Sequence, residues 1–222
     1  YYIIIKYIKI SYKMTLRILV KKLELLRRKF IVREELKSYC KSLKLDYYTS
    51  IMYLTSNNYL VRVLRGIFYV KSIEERKLNK VDISFEEAIS EALMIKGVKS
   101  WYFGLESAIK RNNLTHEYTA VETIISDKLS RPNPFNIMGR KVRFVKLKKN
   151  LLEFGVIKNK FNYSDAEKTV LDFIYLGKYN GNPDESIRNK IADYIGTCKK
   201  PKLRKYSENY PKTVRKLVEE LI

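Results

Sequence analysis

The segment Leu60-Val61-Arg62-Val63-Leu64, Arg65-Gly66, Ile67-Phe68-Tyr69-Val70 constrains the fold more than any other part of the sequence. Two β-branched and aromatic runs separated by two residues, one of them glycine, specify an antiparallel hairpin, because only a tight turn can join strands that close in sequence. What precedes the hairpin is helical. From Thr15, the apolar residues Leu16, Leu19, Val20, Leu23 and Leu26 recur at helical spacing, with Lys and Arg on the opposite face. Phe30-Ile31-Val32 breaks this pattern as a short β-like run. A second helix is predicted from Arg33 to Leu43, with Leu36, Cys40 and Leu43 on one face. Asp46 is the expected N-cap of a third helix, about Tyr47 to Asn57, since its carboxylate can accept the first free amides; that helix should bury Tyr47, Ile51 and Leu54. Helix, short strand, helix, helix, hairpin is the order of a winged helix-turn-helix.

Charge indicates the partner. The 222 residues carry 45 Lys and Arg against 24 Asp and Glu, a net +21. Such an excess is self-repelling unless a polyanion offsets it. The charge is also uneven: residues 1–80 hold 19 Lys and Arg against 6 Asp and Glu, so a nucleic-acid site is sought there first. No apolar stretch approaches the ~20 residues that span a bilayer, so no membrane partner is expected. Two cysteines, Cys40 and Cys198, make neither a disulfide framework nor a metal-ligand pattern, and a reducing cytoplasm is the expected setting.

The expected fold class is α+β: an N-terminal winged helix-turn-helix domain over 14–73, a polar linker over 74–83, and a mixed α/β domain over 84–222. Tyr1–Lys13, ahead of the first methionine, Met14, is set apart as an extension, either genuine or the product of an upstream start. In the second half, Ser84 and Glu87, and again Ser164 and Glu167, have capping-box spacing at helix starts. Trp101–Gly104 reads as a strand or a turn, and strands are predicted at Tyr118–Ile125, Phe135–Met138, Lys141–Leu147 and within Phe154–Tyr163. Two closing helices are placed at Asp184–Ile195 and Pro211–Leu221.

A helical residue advances about 100° around the axis. With Ile51 and Leu54 inward, Thr49, Met52, Tyr53 and Ser56 face outward, flanked by Ser50 and Asn57. In helix-turn-helix proteins the second helix of the motif lies in the major groove. Thr, Ser and Asn can hydrogen-bond base edges there, and Tyr or Met can touch a thymine methyl. The face holds no Lys or Arg, which favours A·T-rich sites and shape readout. Positive charge comes from its neighbours Arg27, Arg28, Lys29 and Arg33, and from Arg62 and Arg65 on the wing. A solvated helix face in a protein-interaction module is the plainer alternative.

No enzyme signature is present and no cofactor or metal is expected. The single histidine, His116, precludes a paired-histidine metal site. The glycines are scattered rather than gathered into a phosphate-cradling loop. Asp165, Glu167 and Asp172 could be imagined as metal ligands in a nuclease, but acidic residues in a first helical turn are explained by the macrodipole. The aromatic segments Trp101–Phe103 and Phe173–Tyr175 could stack on bases, although core packing is the better account of them.

Several short segments carry a family resemblance: Arg33-Glu34-Glu35-Leu36, Asn58-Tyr59-Leu60-Val61-Arg62-Val63, Arg65-Gly66-Ile67-Phe68-Tyr69-Val70, Tyr102-Phe103-Gly104-Leu105-Glu106-Ser107-Ala108 and Ser164-Asp165-Ala166-Glu167-Lys168-Thr169-Val170-Leu171-Asp172. In order and spacing they resemble the AbiE-type antitoxin family of type IV toxin–antitoxin, or abortive infection, systems, between Met14 and about Leu176. The Lys-rich stretch Lys199–Lys205 has no counterpart. The resemblance implies a winged-helix repressor that binds double-stranded DNA at inverted repeats in its own promoter, a site that a homodimer would fit. It also implies a second domain that counters a nucleotidyltransferase-like toxin. Arg62 and Arg65 then become wing contacts and the third helix the groove reader. A stand-alone bacterial or archaeal regulator and, further off, a metal-dependent nucleic-acid enzyme are the alternatives.

Overall fold

The computed structural model describes residues 2–26, 28–112 and 120–222, the side chains of 2–11 excepted. Arg27, Asn113, His116 and Tyr118 lie outside the described residues. The chain is α+β and divides into two compact units, Tyr1–Ala92 and Leu93–Ile222. Among the described residues no helix is long and apolar enough to cross a membrane.

The first unit runs α1 (Tyr2–Glu24), β1 (Phe30–Val32), α2 (Arg33–Ser42), α3 (Tyr47–Ser56), β2 (Leu60–Leu64), β3 (Ile67–Val70) and α4 (Ile73–Lys77). The helix expected from Thr15 begins at Tyr2, so the segment set apart as an extension continues α1. The stripe Leu16, Leu19, Val20, Leu23 is buried against Ile31, Leu36 and Leu54. The three strands form one antiparallel sheet in the order β1-β3-β2, with Phe30 opposite Tyr69 and Leu64 opposite Ile67. The hairpin closes at Arg65-Gly66, where Gly66 adopts φ +80°, a region that costs an L-residue about 1–2 kcal/mol.

Two helix starts in this unit are satisfied differently. Asp46 caps α3 as its residue type suggests, its carboxylate accepting the Thr49 amide at 2.8 Å. Helix α2 follows Val32 directly and has no side-chain cap. Its first amide, on Arg33, donates instead to the Gly66 carbonyl at 2.8 Å, so the hairpin turn satisfies an otherwise orphaned helix donor. The stretch read as a linker also carries structure. Helix α4 is held by a Ser72–Glu75 capping box, and the buried Glu75 accepts from the Tyr69 hydroxyl at 2.6 Å and the Asp82 amide at 2.7 Å. Helix α5 (Phe85–Ile95), opened by the expected Ser84–Glu87 capping box, runs across the boundary between the units.

The second unit contains β4 (Trp101–Phe103), α6 (Glu106–Arg111), β5 (Val121–Ser126), β6 (Arg131–Ile137), β7 (Arg140–Lys146), β8 (Val156–Lys158), β9 (Asn162–Ser164), α7 (Ala166–Tyr179), α8 (Asp184–Ile195), α9 (Lys200–Ser207) and α10 (Lys212–Leu221). Six strands form a mixed sheet in the order β6-β7-β5-β4-β9-β8. Pro132 and Pro134 sit in the edge strand β6, where a missing N–H costs no ladder bond. Three helices close the chain rather than two. The extra one, α9, buries only Leu203 and Ser207, too little apolar surface to leave a periodic signal. Helix α7 is capped by Asp165 rather than Ser164: the Asp165 carboxylate accepts the Lys168 amide at 2.8 Å, while Ser164 belongs to β9.

Helix α7 is the centre of this unit, buried on nearly every face. Inside it lies a polar knot. The fully buried Lys168 ammonium pairs with Asp172, one turn on, and donates to the Tyr210 hydroxyl at 2.7 Å. The Tyr102 and Tyr210 hydroxyls each reach the Asp172 carboxylate at 2.7 Å. Burial pushes the Lys168 ammonium down, and Asp172 beside it opposes that shift. Gly155 seats the knot: a side chain there would meet Lys168 Cβ at 2.7 Å. Lys168→Ala leaves a carboxylate buried without its cation, and the expected loss of stability is about 3–5 kcal/mol, to be read from denaturant unfolding. Lys168→Met combined with Asp172→Leu should recover part of that loss, because both charges are then gone.

Candidate nucleic-acid interface

Helix α3 has one buried and one exposed side. Ile51 and Leu54 point into the core. Thr49, Met52 and Ser56 face solvent as their positions require, Met52 with 70% of its surface exposed. Thr49 donates its hydroxyl to Asp46 at 2.7 Å and keeps its lone pairs. These amide and hydroxyl bonds from Thr49 hold the Asp46 carboxyl below its usual range. Tyr53 is half-buried, drawn inward by stacking on Tyr59 with ring centroids 6.1 Å apart. Asn57 is exposed, but its side-chain amide donates to the Tyr53 carbonyl at 2.9 Å and closes the helix end.

Ser50 is a correction. It is wholly buried, and its hydroxyl donates to the Asp46 carbonyl at 2.6 Å, so it cannot meet a base edge. Its position lies about 70° from the centre of the buried face, within the arc of the core. The residue missed is Tyr48. It lies about 90° from that centre and is 67% exposed. One helical turn before Met52, it pairs an aromatic ring with a thioether on the solvent side of α3. The i, i+4 spacing of Tyr48 and Met52 is the sequence signal for this pair.

The hairpin turn and α3 meet through Arg33. Its backbone amide holds Gly66, and its guanidinium lies 3.4 Å from the Tyr48 hydroxyl and 5.7 Å from the Tyr47 ring centroid. Lys37 lies over the same Tyr47 ring at 5.5 Å. Burial pushes the Tyr47 hydroxyl up, and the positive charges of Arg33 and Arg62 oppose it. Arg62 itself is exposed, its guanidinium 5.7 Å from the Phe68 ring centroid, and Arg65 is exposed at the turn. Arg28 is exposed but ion-paired to Glu35, while Lys29 is exposed. The Arg28 side chain keeps 59% of its surface exposed, so a phosphate can still approach its guanidinium. Arg33 thus touches both the hairpin turn and Tyr48 of α3, whereas Ser50 is buried away from the solvent side of α3 that carries Thr49 and Met52.

The other sequence candidates are structural. Asp165 and Glu167 are both held by Lys202, at 2.9 and 2.8 Å, and Asp172 belongs to the buried knot. Among the described residues no group of three or more His, Cys, Asp and Glu stands together as metal ligands would. Burial pushes the Cys40 thiol up and the Cys198 thiol up to about 12. Trp101, Tyr102 and Phe103 are buried in the second unit, so they pack rather than stack on bases.

No protein-family model and no curated protein matches the sequence. Among solved structures, the chain is similar to the crystal structure of the RV2827C protein from Mycobacterium tuberculosis, with a TM-score of 0.55 at 13% identity over 91% of this chain and 74% of that one. At that identity the likeness is one of fold.

Glu75, which ties α4 to β3 beneath this face, gives the unit a pH signature. Burial pushes its carboxyl up, but hydrogen bonds from Asp82, Tyr69 and Ser72 outweigh burial and hold it below its usual range. A depressed carboxyl adds stability above its unfolded pKa of about 4.3 and loses it as pH falls through the folded value. Glu75→Gln should therefore destabilise the chain at neutral pH, and its deficit relative to wild type should narrow below about pH 4, as followed by thermal melts across pH.

Proposed function

We propose that this protein is a sequence-specific double-stranded DNA-binding regulator whose first unit works as a winged helix-turn-helix. Helix α3 enters the major groove, and the β2–β3 turn, with Arg62 and Arg65, lies along the flanking backbone as the wing. The observation that carries this reading is Arg33. A single residue holds the turn by its backbone and reaches Tyr48 on α3 with its side chain, so α3 and a cationic hairpin are tied to each other. The concentration of net charge in residues 1–80 supports the same reading.

In this scheme phosphate contacts by Lys and Arg supply most of the affinity, and the α3 face chooses the site. Tyr48 and Met52 offer apolar contact to thymine methyl groups, and Thr49 and Ser56 offer hydrogen bonds. The protein then acts in the cytoplasm as an autorepressing antitoxin of the AbiE type, a reading that rests on the resemblance of the segments quoted above. Its toxin partner would be nucleotidyltransferase-like, met functionally or by contact. A stand-alone regulator would use the same DNA face.

Three experiments test the DNA reading. With sites taken from a genome-wide footprint, affinity should fall by about 10³-fold or more between 50 and 200 mM salt if ~6 phosphates are engaged; a flat response overturns the proposal. Arg62→Ala with Arg65→Ala should weaken binding to all sequences alike and lower the salt slope by about one per lost contact. Tyr48→Ala with Met52→Ala should instead reduce the preference for the footprinted site by about 1–3 kcal/mol per lost base contact, leaving the non-specific affinity in place.

A further inference from the structure

The second unit contains an open cavity of about 670 Å³ between the end of β7 with the residues after it, the C-terminal part of α7 and the start of α8. That volume lies within the ordinary range for small-molecule sites. Arg143, Lys146, Lys148 and Lys190 line it, and no Asp or Glu does. Glu106 nearby serves two of the four cations, bonding Arg143 at 2.8 Å and Lys190 at 3.2 Å. Lys146 and Lys148 are exposed and pair with no carboxylate among the described residues. Four positive charges around one concavity, offset by one carboxylate outside the lining, make a site for an anion.

Aromatic rings stand among the apolar residues of the lining. Phe173 and Tyr175 come from α7, and Lys190 holds its ammonium 4.8 Å from the Phe173 ring centroid. Tyr175 stacks on Tyr179, one turn on, with centroids 6.4 Å apart and planes 29° from parallel. Tyr179 keeps 78% of its surface in water, so packing within the chain does not account for its ring. Asn180 and Asn182, in the turn between α7 and α8, add side-chain amides at the same rim. Planar rings beside unpaired cations, with amide groups able to bond a heterocycle edge, are the elements that recognise a base carrying phosphate.

We propose that this cavity binds a nucleotide, its base against the Tyr175–Tyr179 pair and its phosphates on Lys146 and Lys148. The cavity is formed by the second unit alone, so this proposal does not rest on the DNA reading of α3. A free nucleotide and the nucleotides of a single strand share the chemistry, and the experiment separates them.

The test is calorimetric titration of the full chain at about 0.15 M salt, where long-range attraction is screened, using ATP, inorganic triphosphate and adenosine. ATP should bind once per chain, and about tenfold or more tighter than either inorganic triphosphate or adenosine. Tyr179→Ala should bring ATP down to the triphosphate level, and Lys146→Glu with Lys148→Glu should weaken ATP by about tenfold or more. All three side chains are exposed, so the variants should melt like wild type. Equal binding of ATP and triphosphate, or unchanged ATP affinity in Tyr179→Ala, overturns the proposal and leaves only general attraction between a basic protein and a polyanion. Competition by a six-residue oligothymidylate identifies the source. Displacement of ATP that depends on Tyr179 assigns the site to strand nucleotides, and failure to displace assigns it to free nucleotides.

Discussion

The geometry of the first unit depends on one hydrogen bond between peptide groups, from the Arg33 amide to the Gly66 carbonyl. A helix that starts without a capping side chain must find acceptors for its first amides elsewhere. Here the acceptor belongs to the turn of a hairpin more than thirty residues away. That bond joins two local structures that the chain could form separately and fixes the distance between them. It also sets where the Arg33 side chain begins, and hence its reach to Tyr48 on α3. Gly66 completes the arrangement, since its positive φ lets the turn present that carbonyl without the strain another residue would bring.

The second unit is organised by a different kind of interaction. Burying Lys168 and Asp172 together removes both charges from water, a penalty of several kcal/mol per ion. The cost is offset only because Tyr102, Tyr210 and the pair itself fill the available hydrogen-bonding positions. A knot with such exact partners admits one rotation of α7 about its axis. The consequence extends to the cavity: the Tyr210 ring meets Tyr175 edge-on at 5.7 Å, and Tyr175 stacks on Tyr179. The aromatic rim is therefore placed by a polar cluster in the core, not by the rim residues themselves.

Much of the fold is legible in the sequence because its signals are local. The hairpin at 60–70, the leucine stripe of α1, the Asp46 cap and the Ser84–Glu87 capping box each arise from residues within a turn or two of one another. The failures have physical causes of their own. Helix α4 escaped notice because its anchoring carboxylate, Glu75, looks like any surface glutamate until Tyr69 and Asp82 reach it. Helix α9 has almost no apolar stripe. Helical rotation puts Thr49, Met52 and Ser56 on the solvent side of α3, and turn position puts Arg62 and Arg65 on the hairpin, and all five are exposed. Ser50 and Tyr48 sit on either side of the edge of the buried arc, about 70° and 90° from its centre, where rotation by itself does not separate a core position from an exposed one. Tyr53 and Asn57 were located correctly on α3, but stacking on Tyr59 and a bond to the helix's own carbonyl give them roles that periodicity does not reveal.

By itself, then, the sequence determined α2, α3, the leucine stripe of α1 and the three strands of the first unit, their order, and the positive charge they carry, because propensity, periodicity and charge are properties of neighbouring residues. Only the tertiary structure decided that Arg33 links the hairpin to α3, that Lys168 is buried with Asp172, and that four cations and a tyrosine pair surround one cavity. Those arrangements are hydrogen bonds and packing between residues far apart along the chain, and they exist only once the backbone has brought them together.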